Sequence, residues 1–448
     1  MKNILKLAVL LLTTSLFAQA GHIMQGVGSV NMSMGGAATA QPLDISGALQ
    51  WNPATISVFD SKIINFDIGA FFSSPELSSS LPAGMMGAGS PAVSGITKDD
   101  RGTSPMPAFA MVWGKEDSKH TFGVSAFGIS GFGVTFPEEA NNPMSPSFNP
   151  TKNSNPINYP QQAGGFGHIE SDYMLLQVGF AWAYEITDNF SIGIQPTINY
   201  AALELAPNPI ASPSQTKGYP TSDNASAIGY GAQFGVFYNS PGGIKLGASY
   251  KTTQKFDELQ FKNTYLDGSA APDVDFTMDY PAILSFGLGY STGDIDIALD
   301  FRQVDYENTD GFAEKGWNQT GSVKGFGWKN VQILSAGLQY KGIEKLPLRV
   351  GYTYSSNPID SELAFFSIPA TAVIKNAFQF GFSHPFNENF TLNGVYHYGT
   401  SGGKTEGEML NPMMVSASNP YGAVPGTKVG YEMTTSMAML GLTYTFSK

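Results

Sequence analysis

The sequence predicts an all-β fold, a transmembrane β-barrel of about fourteen antiparallel strands whose lumen holds an N-terminal hatch, or plug. Three observations lead to this prediction. Segments of roughly ten residues alternate apolar and polar side chains, and the connections between these segments alternate between short and long. A stretch of small and apolar residues that does not alternate precedes the first of these segments.

Residues 1–20 have the features of a signal peptide. Lys2 and Lys6 flank the start of a short apolar run, and Ala18-Gln19-Ala20 has the small-x-small form of a cleavage site. The run is shorter than the roughly 20 apolar residues that a membrane-spanning helix needs. We therefore expect export and cleavage, with an uncleaved anchor as the alternative.

The composition suits a protein surface that faces lipid. The chain has 51 Gly, 31 Phe and 20 Tyr, and its charged fraction of 13% is about half the value of roughly 25% found in average domains. Cysteine is absent from the sequence, which excludes disulfides and thiolate chemistry. The net charge of −12 disfavours binding to nucleic acid, which relies on Lys and Arg.

Residues 61–448 are predicted to form the barrel. In one segment the apolar side chains of Ile295, Ile297 and Leu299 alternate with Asp296, Ala298 and Asp300, so that one face suits lipid and the other suits the lumen. Fourteen segments of this kind are expected near residues 61–73, 105–115, 119–132, 169–186, 190–205, 229–239, 244–257, 281–291, 294–306, 330–341, 347–356, 374–385, 389–399 and 431–446.

The connections between these segments indicate the topology. Short connections such as Thr187-Asp188-Asn189 and Asn387-Glu388 alternate with long ones such as 74–104, 133–168 and 307–329. Short turns at one end and long loops at the other are typical of a bacterial outer-membrane barrel. A soluble β-sandwich is the alternative, but it does not require connection lengths to alternate and would carry more surface charge.

Residues 21–60 are predicted to form the hatch. They cannot be a lipid-facing strand, because unpaired backbone groups in hydrocarbon are costly, and they are too apolar for a disordered leader. The motif Asn52-Pro53-Ala54 closes this segment. Proline biases the preceding residue towards an extended conformation, and the Asn side chain can satisfy nearby backbone groups. We interpret the motif as a hinge between hatch and barrel, with a local turn as the alternative.

The order of several motifs resembles that of the FadL-type outer-membrane transporters of long-chain fatty acids and other hydrophobic compounds. The matching stretches are Gly26-x-Gly28, Ser33 to Ala37, Asn52-Pro53-Ala54, Asp279 to Tyr290, Ala298-Leu299-Asp300, Arg349 to Tyr352, Asn357-Pro358 and Ser367-Ile368-Pro369. The resemblance implies uptake of long-chain fatty acids or aromatic hydrocarbons without an energy source. Extracellular loops would capture the substrate, the hatch would rearrange, and a kinked third strand would let the substrate leave sideways into the membrane.

Candidate residues exist for each of these steps. The gating N-terminus of the hatch would be Gly21, His22, Ile23 and Met24, and the kink would fall at Gly128, Gly131 and Gly133, since glycine inside a strand marks a bulge or bend. Simple packing relief is the alternative for these glycines. The candidate ligand-binding residues are Phe132, Phe136, Phe148, Tyr159 and Phe166, together with Arg302 and Arg349.

The two arginines are candidates because a guanidinium binds a carboxylate with two hydrogen bonds. By alternation both Arg302 and Arg349 point into the lumen. The alternative is that each pairs with a luminal acid such as Asp296 or Asp300.

Enzymatic and metal chemistry are not indicated. The five histidines do not show the spacing of a metal site or of a nucleophile and its base, so we predict no enzyme, no cofactor and no metal. An outer-membrane hydrolase that uses His168 and an adhesin or structural porin are the alternatives. We expect a monomer whose partners are the hydrophobic substrate, outer-membrane lipid and the barrel-assembly machinery, which would read Phe446 near the C-terminus.

Overall fold

The chain forms a closed barrel of fourteen antiparallel strands in a computed structural model that describes residues 21–446. The predicted signal peptide, residues 1–20, lies outside the described residues. The barrel strands are β1 (Lys62–Leu81), β2 (Thr103–Trp113), β3 (His120–Phe136), β4 (Ile169–Thr187), β5 (Phe190–Ala206), β6 (Ala225–Asn239), β7 (Ile244–Lys251), β8 (Ala282–Thr292), β9 (Ile295–Asp305), β10 (Val331–Tyr340), β11 (Leu348–Ser355), β12 (Asn376–Pro385), β13 (Phe390–Thr400) and β14 (Lys428–Thr445).

The barrel closes between its first and last strands. β1 pairs with β14 from Ile63 opposite Thr445 to Ser80 opposite Lys428, so these strands leave no open sheet edge. The predicted alternation is present in β8, where Phe286 is exposed on the outside and Ser285 is buried on the inside. The predicted fold class is therefore confirmed. Among residues 21–446, no helix is both long enough and apolar enough to span a membrane.

Several strand limits differ from the predicted ones. β1 continues to Leu81, because its polar second half pairs with both β14 and an extra strand, Val93–Lys98. The predicted strand 244–257 ends at Lys251. The end of the predicted strand 244–257 is a separate short strand, Lys255–Phe256, that pairs with β6. Parts of the predicted loops are also strands, namely Thr221–Ser222, Leu259–Thr264, Ala270–Phe276 and Thr405–Gly407.

The hatch, residues 21–60, packs against the luminal side of the strands. It contains α1 (Ser29–Ser33), α2 (Ile45–Trp51) and a 3-10 helix, η1 (Pro53–Val58). Asp44 begins α2, because its carboxylate accepts hydrogen bonds from the backbone N–H groups of Ser46 and Gly47. The loops carry further 3-10 helices at Pro156–Asn158, Gln161–Ala163, Ser361–Ser367 and Pro412–Met414.

A row of glycines on the luminal wall lets the hatch backbone lie directly on the strands. A Cβ atom at Gly235 would fall 1.9 Å from Asn52 Oδ1, and one at Gly247 would fall 2.0 Å from the carbonyl oxygen of Thr39. Neither position could hold a side chain without displacing the hatch. We call six of these glycines the glycine belt, and they are Gly193, Gly235, Gly247, Gly287, Gly337 and Gly351.

Candidate functional site

A buried ion pair on β9 holds the middle of the hatch. Arg302 Nη2 lies 2.5 Å from Asp300 Oδ2, and both side chains are almost fully buried. The same carboxylate oxygen accepts hydrogen bonds from the backbone N–H groups of Ala38 and Thr39, and Arg302 donates to the carbonyl of Gly36 at 2.6 Å. The Arg302 guanidinium also stacks on the ring of Trp51. Asp300 and Arg302 therefore bind the hatch at both ends of the Gly36–Trp51 segment.

The Asn52 side chain joins the hatch to the barrel. Its Nδ2 donates to the carbonyl of Thr39 at 2.8 Å and to the carbonyl of Val236 on β6 at 3.0 Å. Its Oδ1 accepts from the N–H of Ala54 at 3.1 Å, and this hydrogen bond caps η1, which begins at Pro53. The motif Asn52-Pro53-Ala54 thus lies where the hatch meets the barrel wall, directly after the last residue of α2.

Arg349 also has partners within the barrel. Its Nε donates to Gln339 Oε1 at 2.7 Å, and its Nη2 donates to Ser383 Oγ at 2.6 Å. The geometry of Arg302 is that of the alternative considered above, a pair with Asp300. Both guanidinium groups are thus engaged by protein partners, and ligand binding by Arg302 and Arg349 stays a prediction.

His22 lies in a cage of aromatic side chains near the start of the hatch. Its ring stacks on that of Phe312 with 4.7 Å between centroids, and the most distant ring of the cage is 6.4 Å away. His22 Nδ1 is 2.7 Å from the hydroxyl oxygen of Tyr306, whereas Nε2 has no hydrogen-bond partner among the described residues. Burial lowers the pKa of the His22 imidazole to about 3. We call this cage the aromatic box, and its rings are Phe132, Tyr173, Tyr280, Tyr306, Phe312 and Trp328.

The N-terminus of the hatch pairs with an irregular part of β3. The register between β3 and β4 shifts between Gly128 and Ser130, which leaves Ile129 as an extra residue. Here the N–H of Met24 donates to the carbonyl of Ile129 at 3.0 Å, and the N–H of Gly131 donates to the carbonyl of His22 at 3.2 Å. Ile23 forms a β-bridge with Ser130. The first hatch residues thus act as a short luminal partner for the bulged part of β3.

The wall of the barrel is open between β2 and β3. Their ladder ends at Ala108 opposite Phe127, although β2 continues beside β1 to Thr103 and β3 continues beside β4 to Phe136. β2 carries Pro105 and Pro107 just where the ladder stops, and proline supplies no N–H for pairing.

A cavity of about 470 Å³ occupies this gap. Its lining includes the luminal residue Tyr173, of which 2% is exposed, and the neighbouring Met174, of which 55% is exposed on the outside. Gly131, Phe132 and Gly133 also line it. The cavity therefore crosses the wall, and we call it the wall opening.

A turn closes the wall opening at its loop end. Asp99 Oδ1 accepts from the N–H of Thr135 at 2.6 Å, and the N–H of Asp100 donates to the carbonyl of Thr135 at 2.9 Å. Arg101 extends across β3 at Gly133, where a Cβ atom would fall 2.1 Å from its Nη1, and reaches Asp172 on β4. With glycine at this position the Arg101 side chain lies directly on the backbone of β3.

The five predicted aromatic residues do not form one surface. Phe132 lies in the aromatic box and the wall opening, Phe136 is fully buried, and Phe148 packs edge-on against Tyr159 in the loop between β3 and β4. Phe166 lies in a separate apolar cleft among the loops, the loop pocket. In the described part of the chain its lining contains no charged residue and consists of Phe166, Ile169, Pro207, Pro209, Tyr219, Trp317, Val323, Phe365, Phe366, Ile368 and Pro369.

Sequence reasoning missed most of these residues. Trp317 and Phe365 come from loops far apart in the chain, and no local spacing relates them to Phe166. Pro105 and Pro107 did carry a signal, because two prolines inside a predicted strand indicate that one edge of it is unpaired.

The polar residues around His168, at the start of β4, do not have the arrangement of a hydrolase or metal site. His168 Nε2 is 3.0 Å from Glu170 Oε2, and the neighbouring Ser171 donates its hydroxyl to the carbonyl of Pro369. Within residues 21–446, no group of three or more His, Asp or Glu side chains is arranged to hold a metal ion.

The plugged fourteen-strand barrel and its opening define a class of protein, the outer-membrane transport barrels. Residues 158–447 match the family model described as outer membrane protein transport protein (OMPP1/FadL/TodX), and the chain belongs to this family. The predictions of an outer-membrane location and of a protein that is not an enzyme are thereby confirmed. A search of curated proteins finds no match to the sequence.

Solved structures share the fold at low identity. The toluene transporter TodX of Pseudomonas putida is 17% identical with a TM-score of 0.65, over 95% of this chain and 99% of that chain. A FadL homologue of Pseudomonas aeruginosa is 13% identical with a TM-score of 0.69, over 96% of this chain and 100% of that chain. The toluene transporter TbuX of Ralstonia pickettii is 15% identical with a TM-score of 0.62, over 94% and 99%.

Proposed function

We propose that this protein takes up small hydrophobic molecules, aromatic hydrocarbons among them, and releases them sideways into the outer membrane. A substrate would enter the loop pocket, pass to the aromatic box and leave through the wall opening. The observation that supports this route best is the cavity that crosses the wall between β2 and β3, lined on the inside by Tyr173 and on the outside by Met174.

The loop pocket suits the first contact with a substrate. Its lining is aromatic, aliphatic and proline-rich, and binding of an apolar molecule there would remove apolar surface from water. The loop between β9 and β10 contributes Trp317 to the loop pocket and Phe312 and Trp328 to the aromatic box. A single loop therefore links the two sites, and a change in one can be transmitted to the other.

The aromatic box suits a single planar ring. Stacked and edge-on contacts with ring centroids about 4.5–7 Å apart are the favoured aromatic geometries, and the imidazole of His22 makes contacts of this kind. An aromatic hydrocarbon would make similar contacts in place of this ring. Toluene is the compound that the TodX and TbuX transporters carry by name, which agrees with this substrate class.

Departure of His22 from the box would also free the wall opening. The carbonyl of His22 accepts hydrogen bonds from the N–H of Gly131 and the hydroxyl of Ser130, and the N–H of Met24 donates to the carbonyl of Ile129. The same segment therefore occupies the aromatic box and covers the luminal side of the bulge. A substrate that displaces the His22 ring weakens this pairing and clears the way to the cavity. This rearrangement needs no energy source besides the substrate gradient.

The route is tested by restoring the missing N–H groups of β2. In the double variant Pro105→Val and Pro107→Val, β2 can pair with β3 and narrow the opening. We expect protein-dependent uptake of labelled ethylbenzene by whole cells to fall at least about fivefold, while heat-modifiable gel migration still shows a folded barrel. Pro196→Val is the matched control, because Pro196 lies on the outer face of β5.

Two results would contradict the proposal. Unchanged uptake in a folded double variant would show that substrate does not leave between β2 and β3. Uptake by the wild-type protein no faster than in cells with an empty vector would refute transport of this substrate altogether.

A further inference from the structure

We infer that the wall opening passes uncharged hydrocarbons and excludes carboxylates, and that Glu170 and Asp172 enforce this selection. The inference rests on the proposed sideways release, and it specifies the substrate class of that route. It follows from the charges around the opening, from their pairing and from the lack, among residues 21–446, of a cation there that is free to receive a carboxylate.

Of the residues that the structure describes, three charged ones line the wall opening, and two of these are acidic. They are Arg101, Glu170 and Asp172. Arg101 Nη2 lies 2.6 Å from Asp172 Oδ1, and Arg101 Nη1 donates to the carbonyl of Ser171 at 2.8 Å. The guanidinium therefore already has an anionic partner, and Glu170 adds a further carboxylate at the rim.

The acidic character continues on the outer face of the neighbouring strand. Asp172 on β4 is paired in register with Glu204 on β5, and Glu204 is half-buried on the same outer side. Glu170 contacts His168, whose ring is half-exposed and lies away from the lumen. A molecule that leaves through the opening at this level passes a row of three carboxylates.

The three buried cations of the luminal wall, among residues 21–446, do not compensate for this row. Arg302 is paired with Asp300, Arg349 is bonded to Gln339 and Ser383, and Lys251 is buried and donates to Gln177 Oε1. These three cations are not part of the opening's lining. A carboxylate substrate would lose water on entering the gap and would meet like charges there, whereas a neutral ring would meet Phe132, Tyr173 and Met174.

The test compares two molecules that share a ring and differ in charge, ethylbenzene and 4-ethylbenzoate. Initial uptake is measured in whole cells, and the rate with an empty vector is subtracted. For the wild-type protein we expect ethylbenzene to enter at least about tenfold faster. In the double variant Glu170→Gln and Asp172→Asn, the ratio of 4-ethylbenzoate uptake to ethylbenzene uptake should rise about fivefold, the order expected for removing nearby like charges at a half-exposed site.

The matched control removes the same number of negative charges elsewhere. The control is the double variant Glu258→Gln and Asp275→Asn. Both residues are exposed in the loops and lie outside the lining of the wall opening. This variant should leave both rates as in the wild-type protein, which separates a local effect from a change in net charge.

The outcomes differ for the inference and for the proposed function. Equal wild-type uptake of both molecules, or a folded double variant with an unchanged ratio, would overturn the inference and show that the acids are a solvated rim only. Lack of protein-dependent uptake of either molecule would instead refute the proposed transport, and the inference with it.

Discussion

The guanidinium of Arg302 lies 3.6 Å from the centre of the Trp51 ring, so that a strand of the barrel and the last residue of α2 are in direct cation–π contact. Asp300 completes this arrangement, because it neutralises Arg302 and accepts hydrogen bonds from Ala38 and Thr39. The position of the hatch in the lumen thus depends on two neighbouring charged side chains of β9.

Replacing Asp300 should therefore loosen the hatch. In Asp300→Asn the buried guanidinium loses its counter-ion, and breaking a buried pair in this way costs about 3 kcal/mol or more. We expect increased permeability of the outer membrane to small polar dyes. Asp296→Asn is the control, since Asp296 is also a buried residue of β9 but contacts Gln339 and Lys341 of the barrel. Equal permeability of the two variants would contradict the anchoring role of Asp300.

The Asn52 side chain should anchor the end of the hatch. Asn52→Ala removes three hydrogen bonds of a buried side chain and leaves the carbonyl of Val236 without this donor, so we expect a loss of about 2 kcal/mol. Hydrogen–deuterium exchange of residues 53–58 should become faster. Asn411→Ala, which removes a comparable cap from a 3-10 helix in a loop, should leave this exchange as it is.

Acid should release the N-terminus of the hatch. Burial lowers the pKa of His22 from 6.5 to about 3, so the docked ring is neutral. Docking of the His22 ring is therefore strongest above pH 6.5 and weakens as the pH falls towards 3. At pH 5 the free energy of docking is smaller by about 2 kcal/mol. His22→Phe should abolish this dependence, because phenylalanine stays neutral throughout.

This release can be measured with single cysteines, because the chain has none of its own. A cysteine in place of Met24, of which 8% is exposed, should be alkylated faster at pH 5 than at pH 7.5, relative to a cysteine in place of Met413, of which 92% is exposed. The Met413 position corrects for the ionisation of the thiol itself. A relative rate that does not change with pH would disprove the release.

The loop pocket should determine capture at low substrate concentration. Phe365→Ala removes a ring that contacts Phe166, Trp317 and Phe366, and the loss of one large apolar contact reduces affinity roughly tenfold. We expect the substrate concentration for half-maximal uptake to rise with little change in the maximal rate. Phe386→Ala, at an exposed position in a short turn, should behave as wild type, and if both variants do, capture occurs elsewhere.

The sequence was sufficient to predict the barrel, because each strand has its own period of two and each turn its own length. The positions of Ile297 and Leu299 on the lipid face and of Asp300 in the lumen required no knowledge of other strands. The extra length of β1 was missed, since its polar second half gains order only from pairing with β14 and Val93–Lys98.

The site was harder to predict because its residues meet only in three dimensions. The sequence singled out the glycines of β3 as candidates for a kink, but the side chain that packs against Gly133 is that of Arg101, which no spacing relates to it. The aromatic box combines rings from β3, β4 and the loop after β9 around His22. Aromatic residues that are close in the sequence therefore do not by themselves locate these two sites. Three of the five predicted aromatic residues lie outside both the aromatic box and the loop pocket.

The glycine belt has a mechanical consequence for the hatch. Along the belt the backbone of the hatch rests on the backbone of the wall, and no side chain of the wall projects between them at Gly235 or Gly247. At these two positions a shift of the hatch around the circumference would break hydrogen bonds at Asn52 but would meet no side chain of the wall. The resistance to such a shift is therefore concentrated at a few contacts elsewhere, above all where the Arg302 guanidinium stacks on the Trp51 ring and where Asp300 binds Ala38 and Thr39.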